Sequence, residues 1–379
     1  MKVLILTHHR IQNNFNGAVT RIRNLAEQLA VQGAQVTVYS LISPRNSPLP
    51  ASHFATGWSL YESNNLIQWA DGLGGFLGLP PYSLTAYLNA FLPLPAWAKD
   101  SFDVMITESP FLWQVAQKVK AKIRVLSAHN HETTYHDDFS PIALWLLKRN
   151  ETKALRQADL IISLAHEDKL IFQTISPKTP IQIIPNGFLR MSSTDFRPSH
   201  TQDIFRSRWA ISKTHRLALF LASESTHNQR AFTSLIELFS RSAIQQRWCL
   251  LVVGNIQIKK SVPPSIIACG VQKSLLDVIE ICEVALNPVT SGSGSNVKLI
   301  ECLGNGLPVL STPFGARGYD RNLSGLHIEP LEKFETRLLE QTPWINPKPE
   351  ELVTYEWAVL GRRLFEVFQS ALKKQAHFS

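Results

Sequence analysis

Short, uninterrupted apolar runs recur along this chain with helical stretches between them, and that alternation narrows the fold more than any other feature. Val3-Leu4-Ile5-Leu6 and Val36-Thr37-Val38-Tyr39 bracket a helical repeat of Val19, Ile22, Leu25, Ala26 and Leu29 that Gly33 stops. A strand apolar along its whole length is buried on both faces, and a strand–helix–strand unit of this length predicts a parallel, doubly wound sheet. The pattern continues at Val104–Ile106, Val125-Leu126, Leu160–Ile162 and Ile181–Ile184. Pro185-Asn186-Gly187 breaks it, and the polar run Ser192–Gln202 reads as a connector. It restarts at Leu217–Leu221, Leu250–Val253, Val284–Leu286 and Val309-Leu310. Two α/β lobes facing one cleft are therefore expected, over residues 1–190 and 191–350. A last segment, 351–379, carries a helix over 351–373 with Trp357, Leu360, Leu364 and Val367 roughly on one face, expected to pack back on the first lobe. Residues 41–101 give no clear period.

Composition removes whole classes. With 44% apolar and 18% charged residues in 379, a disordered, collagen-like or coiled-coil chain is excluded. Thirty-eight Lys and Arg against 30 Asp and Glu leave a net charge of +8, which suits an anionic ligand, an acidic membrane surface or nucleic acid. The basic clusters Lys118-Lys120-Lys122-Arg124, Lys148-Arg149 and Arg362-Arg363 read as solvated helix faces, with peripheral membrane contact the alternative. No nucleic-acid motif accompanies them. Cys249, Cys269, Cys282 and Cys302 form no CxxC pair, so they read as buried thiols in a reducing, cytoplasmic setting rather than a disulfide framework or zinc site. Val3–Leu6 is too short for a signal-peptide core. Gly72–Ala98 is uncharged but holds Pro80, Pro81, Pro93 and Pro95, which would leave backbone groups unpaired in lipid. Its aromatic residues read as packed lobe before a membrane-facing or acceptor-facing lip.

The chemistry concentrates at Asn287–Arg317. Strand Val284-Ala285-Leu286 leads into Ser291-Gly292-Ser293-Gly294-Ser295-Asn296, then a helix over Val297–Leu303 capped by Gly304. Glycines let backbone approach a ligand closely, and a helix start presents free N–H groups and about half a positive charge. Lys298 in the first turn adds a full charge, which completes a seat for a diphosphate. Glu301 lies on about the same face and can accept from paired sugar or ribose hydroxyls. The bland alternative is a Gly/Ser turn before a core helix with a surface Lys–Glu pair.

The run Ser291–Glu301, with Gly306-Leu307-Pro308-Val309 and Thr312–Gly318, resembles the donor-binding signature of glycosyltransferase family 4. Ser127-Ala128-His129-Asn130-His131-Glu132 is similar to that family's HNxE stretch. Gly17 in the first strand–helix loop, Ala158–Ser163, Ile184–Gly187, and Ser223 with Asn228 agree in order. The resemblance implies a GT-B fold of two Rossmann-like domains and a retaining, metal-independent enzyme that moves a sugar from a nucleotide-sugar donor to an acceptor hydroxyl. No cofactor is implied; the acceptor would be a sugar, a lipid-linked sugar or another hydroxyl compound. It also implies donor contacts at Gly17, Ser223, Asn228, Gly270, Val271, Gly292, Ser293, Gly294, Ser295, Asn296, Val297, Lys298 and Glu301, with His129 and Lys298 catalytic.

No DxD motif is present, and the candidate HExxH beginning at His131 fails because position 135 is Tyr135. The helix start and Lys298 are then the natural substitutes for a cation. His129 follows strand Val125-Leu126 at its carboxyl end, the edge that lines the ligand crevice of a doubly wound sheet. His8, His9, His131, Glu132 and His136 read as ordinary loop side chains. Two departures from the family stand out: Ser293 occupies a position where a glutamate is frequent, and Ser223–Arg230 offers only His227 and Arg230 as cations. They keep open a non-catalytic nucleotide-sugar-binding relative, beside an epimerase on the same fold. A glycosidase is disfavoured, because no flanking carboxylate pair can be nominated.

Overall fold

The computed structural model describes residues 1–12, 16–42, 47–64, 94–136, 139–190, 200–258, 261–272 and 274–378. The 72–93 part of the uncharged stretch, Asp137-Asp138 and positions 192–199 of the connector lie outside the described residues. The chain forms two compact units: Met1–Asn186 with Gly292–Ser295 and Trp357–Ser379, and Gly187–Ser291 with Asn296–Glu356. The division thus falls at Asn186 rather than 190, the chain rejoins the first unit at Trp357 rather than 351, and Gly292–Ser295 group with the first unit.

The first unit is built on an eight-stranded sheet of β1 (Lys2–Thr7), β2 (Gln35–Leu41), β3 (Ser52–His53), β4 (Trp58–Ser63), β5 (Ser101–Glu108), β6 (Lys120–Ala128), β7 (Leu160–Ser163) and β8 (Ile181–Ile183). Their order is β3-β4-β2-β1-β5-β6-β7-β8, parallel except for the β3–β4 pair. The period-2 geometry of β1 sends Val3 and Ile5 to one face and Leu4 and Leu6 to the other. On the first face they join Ile22, Leu25 and Leu29 of helix α1 (Gly17–Val31), and on the second Trp113, Leu155 and Phe172. Burial on both faces explains why the run is apolar without alternation. Helices α2 (Pro141–Gln157) and α3 (His166–Ile175) follow β6 and β7.

The last helix, α6 by the numbering completed below, spans Trp357–Phe378. It does not begin at 351: Pro349–Leu352 and Val353–Tyr355 are separate short turns, and the extended Glu356 ends them. Trp357, Leu360, Leu364 and Phe368 enter the same core as α1. At Gly361 an added Cβ would lie 2.2 Å from Gln28 Cβ, so a side-chain-free residue is what allows α6 to lie so close to α1.

The second unit carries β9 (Arg216–Ala222), β10 (Trp248–Gly254), β11 (Ile266–Gly270), β12 (Val284–Asn287), β13 (Val309–Ser311) and β14 (Leu326–Ile328). All are parallel in the order β11-β10-β9-β12-β13-β14. Helix α4 (Thr226–Phe239) covers one face through Phe232, Leu235 and Phe239, and α5 (Val297–Gly304) the other through Leu299 and Leu303. Helix α5 runs through Gly304 instead of ending before it; the left-handed residue beyond it is Gly306, at φ +86°. Strand order reverses between β1 and β5 in one unit and between β9 and β12 in the other. Ligands of such sheets bind outside the carboxyl ends of the strands at these points.

Candidate functional site

In the first unit, β1, β5 and β6 deliver a cluster of polar side chains to that edge. The registers set Thr107 opposite Leu6 and Glu108 opposite Ser127, so His8 and His9, Glu108 and Ser109, and His129 emerge side by side. Nε2 of His129 is hydrogen-bonded to the Glu108 carboxylate, which is 2% exposed. The His9 ring lies tilted against His8 at 4.0 Å between centroids and stacks on His129 at 6.4 Å. Burial pushes the His9 imidazole down to about 4, and burial and the neighbouring histidines push His8 well below its usual value. Both rings are neutral at physiological pH. Glu108 is held below the ordinary carboxylate range because His129 and Arg21 together outweigh its burial. Arg21 is itself fully buried, and its Nη1 donates to Pro185 O at 2.9 Å.

His129 thus has the strand-end position expected of it. His8 and His9, which read as ordinary loop residues, stand in the same cluster, together with Glu108 and Ser109, which no motif marks. A carboxylate closing an apolar strand just before Pro110 was the available signal, the same one that singled out His129. Gly17 is the first residue of α1, behind Asn16, whose side chain accepts from Val19 N at 2.9 Å.

The glycine turn departs from expectation. Gly294 N–H donates to Asp168 at 2.9 Å, and Ser293 Oγ donates to the other oxygen of the same carboxylate at 3.0 Å. Ser293 Oγ also accepts from His131 N at 2.9 Å, and Asn186 Nδ2 donates to Ser295 O at 3.1 Å. Gly294, at φ +72°, has His129 O only 2.3 Å from where a Cβ would stand. The close approach that its glycine permits is therefore to protein backbone, and its amide is already committed to a carboxylate.

In the second unit, Asn296 caps α5, its side chain accepting from Lys298 N at 3.1 Å, and Val297 opens the helix. Lys298 is not a surface lysine: Nζ is buried without a hydrogen-bond partner. Burial pushes its ammonium down to about 7 and the Glu301 carboxyl, one turn on, up to about 7; each opposes the shift of the other by charge. Lys298 and Asn228 line one small cavity with Asn287 and Asn296. Nδ2 of Asn228 donates to Ser223 O at 2.9 Å and Oγ at 2.8 Å, which ties the β9–α4 loop. The two basic side chains noted in the α4 region meet at Ser291 Oγ, His227 Nδ1 at 2.9 Å and Arg230 Nη1 at 3.5 Å. Gly270 closes β11 at φ +65°, followed by the exposed Val271. Among the described residues no group of three or more His, Cys, Asp or Glu side chains is arranged to hold a metal ion.

Residues 15–188 match the family described as Glycosyltransferase Family 4. No curated protein matches the sequence. Sucrose-phosphate synthase from Thermosynechococcus elongatus is 13% identical, with 100% of this chain and 98% of that one covered at a TM-score of 0.65. An α,α-trehalose-phosphate synthase (UDP-forming) from Burkholderia xenovorans, in complex with glucose-6-phosphate, is 11% identical, with 98% and 99% covered at 0.65. Anabaena Alr3699/HepE in complex with UDP-glucose is 12% identical, with 100% and 99% covered at 0.59. Identities this low speak for the fold, and the family match speaks for the first half of the sequence. The chain has the GT-B fold of two Rossmann-like domains, and its residues 15–188 are similar to the glycosyltransferases of family 4.

Proposed function

We propose that this protein transfers a sugar from a nucleotide-sugar donor to an acceptor hydroxyl, with retention of anomeric configuration and without a divalent cation. The donor would lie on the second unit and the acceptor on the first. One observation carries the reading: a buried Lys298 ammonium without a hydrogen-bond partner, one turn from a Glu301 carboxyl that burial pushes up, at the start of a helix beside the strand-order reversal. A buried ammonium without a hydrogen-bonded partner is costly, and a diphosphate would supply one. Asn228 and Asn296 would flank it, and Gly270 and Val271 would meet the base. His227 and Arg230 would add positive charge, so that charge developing on the leaving diphosphate has protein partners. Glu301 would accept from the ribose hydroxyls. His129 would face the sugar or the acceptor. The amides of Gly292–Ser295 join this account only if Asp168 gives up Gly294 N–H, and that contact is what favours the second reading, a non-catalytic donor-binding relative.

UDP-hexoses and sugar phosphates, named in the complexes of the fold neighbours, are the first compounds to try. Calorimetric titration with UDP-, GDP- and ADP-sugars, followed by incubation with acceptors in EDTA, tests the reading. Expected are micromolar to millimolar binding of one donor and a product whose anomeric proton matches the donor. Donor binding with no product from any acceptor would establish the non-catalytic reading; no binding at all would defeat both.

We place the protein in the cytoplasm, because Cys249, Cys269, Cys282 and Cys302 are all free thiols. No helix among the described residues is long and apolar enough to cross a membrane. Peripheral contact is supported by α2, where Ile142 (69% exposed) and Trp145 (57%) stand beside the exposed Lys148 and Arg149. Sedimentation with vesicles containing 30% anionic lipid should carry the wild type down, and Trp145→Ser/Ile142→Ser should leave it in solution. Equal sedimentation of the two would remove this face from consideration.

A further inference from the structure

We propose that Glu108 is a positioning residue. Its buried carboxylate fixes the His129 ring with Nε2–H turned inward, and so makes Nδ1 the nitrogen offered to a sugar hydroxyl. The inference rests on the function proposed above and adds to it the residue that orients the histidine.

Three observations converge. The carboxylate is bonded to Nε2, and a carboxylate accepts, so Nε2 carries the proton. Nδ1 has no partner among the described residues and is the only ring nitrogen left to act. The neutral tautomer is thereby set by a neighbour, as for histidines whose second nitrogen is held by a carboxylate.

The support under Glu108 is rigid. It stands at the last position of β5, opposite Ser127 of β6, two residues before His129. The next residue, Ser109, sits at φ +84° although it is not glycine, a strained conformation that persists only where surroundings enforce it. Those surroundings are visible: Ser109 N–H donates to Ser127 O at 3.0 Å, and its Oγ lies 3.3 Å from His8 Nδ1. Strain is being held at the turn that aims Glu108. The charge of Arg21 also favours the ionised carboxylate.

The neighbouring rings have other contacts: His8 Nδ1 lies 3.3 Å from Ser109 Oγ, and His9 stacks beside His129 with its backbone carbonyl accepting from Ser40 Oγ at 2.5 Å.

The test pairs spectroscopy with kinetics. Long-range 1H–15N correlation on imidazole-labelled protein should show wild-type His129 as the Nε2–H form with an acceptor-like Nδ1 at pH 8. Glu108→Leu should give a mixture of tautomers, with kcat for transfer falling roughly 10- to 1,000-fold and donor KM changing less than threefold. Glu108→Asp should restore the Nε2–H form and most of kcat. If Glu108→Leu does not fold, Glu108→Gln serves, since it keeps the shape and removes the charge; a lower kcat and a less uniform tautomer are expected. An unchanged tautomer with unchanged kcat in either variant overturns the proposal. Absence of transfer by the wild type would strike the functional reading alone, because the tautomer of His129 is scored without turnover.

Discussion

Replacing Lys298 by Met should make the protein more stable and a worse binder, and those two changes have separable sizes. In the folded state burial moves the Lys298 ammonium from 10.5 to about 7. The unfolded chain therefore binds more protons than the folded one between those values, so the group's contribution to stability rises with pH across that window. Below about pH 7 the whole fall opposes folding, on the order of 5 kcal/mol at ~1.4 kcal/mol per pH unit. Methionine keeps the unbranched shape and has no charge to bury. That fall already contains the favourable charge of Glu301, so nothing further is deducted for removing the cation beside it. The net expectation is about 4–5 kcal/mol at pH 6.5, or roughly 8–20 °C in the melting temperature of a domain this size. At pH 9.5 the gain should shrink to about 1 kcal/mol. Removing an ammonium from a desolvated phosphate contact costs about 2–5 kcal/mol, so UDP-sugar affinity should fall roughly 30-fold to several thousand-fold. Scanning calorimetry at both pH values and isothermal titration with UDP-glucose measure the two effects. A variant that melts lower while binding the donor as well as the wild type would show that Lys298 is structural and refute the reasoning.

Other outcomes follow from the same structure. In a Glu301→Gln background, binding UDP at pH 8 should take up close to one proton, because an anion raises an ammonium that burial already holds near 7 and that the loss of the Glu301 charge lowers further. The uptake should shrink as the pH is lowered; titrations in two buffers of different ionisation enthalpy measure it, and zero uptake at pH 8 would contradict the placement of the diphosphate beside Lys298. Gly361→Ala should lose about 1–3 kcal/mol by chemical denaturation although alanine favours helix, since its Cβ would lie 2.2 Å from Gln28 Cβ; a more stable variant would mean that α1 and α6 separate freely. Burial pushes the thiol of Cys249 up to about 11 and of Cys269 up to about 12, and those of Cys282 and Cys302 upward as well. Native protein should therefore react slowly with a disulfide reagent at pH 8, while denatured protein releases all four thiols. Rapid labelling of the native form would place a thiol in solvent.

The strands that declared themselves in sequence are those buried on both faces. Val3–Leu6, Leu217–Leu221 and Leu250–Val253 are continuous because helices cover both sides of each sheet. The ones that escaped notice are edge or near-edge strands: β4, whose Trp58-Ser59-Leu60 alternates, β11, and the three-residue β14. The same asymmetry applies to the site. Sequence gave Lys298 and Glu301 as neighbours on one helix face, since that spacing is fixed by the helix itself. It could not tell that the lysine head is buried, because the residues around Nζ come from β9, β12 and α4.

The Glu108–His129 pair shows where such reading stops and why. Twenty-one residues separate the two side chains, and nothing in that interval fixes their relation until β5 and β6 pair. A shift of one position in that pairing would carry Glu108 to the opposite face of the sheet from its present partner. Register is set by all the contacts of both strands, from Ser101 opposite Lys120 to Glu108 opposite Ser127, together with Ser109 in a conformation it would not adopt alone. Helical spacing is local and survives translation into chemistry, whereas strand pairing is collective and becomes visible only in the folded sheet. Lys298 and Glu301 of the second unit are accordingly legible as a pair in the sequence, and the acid beside the histidine of the first is not.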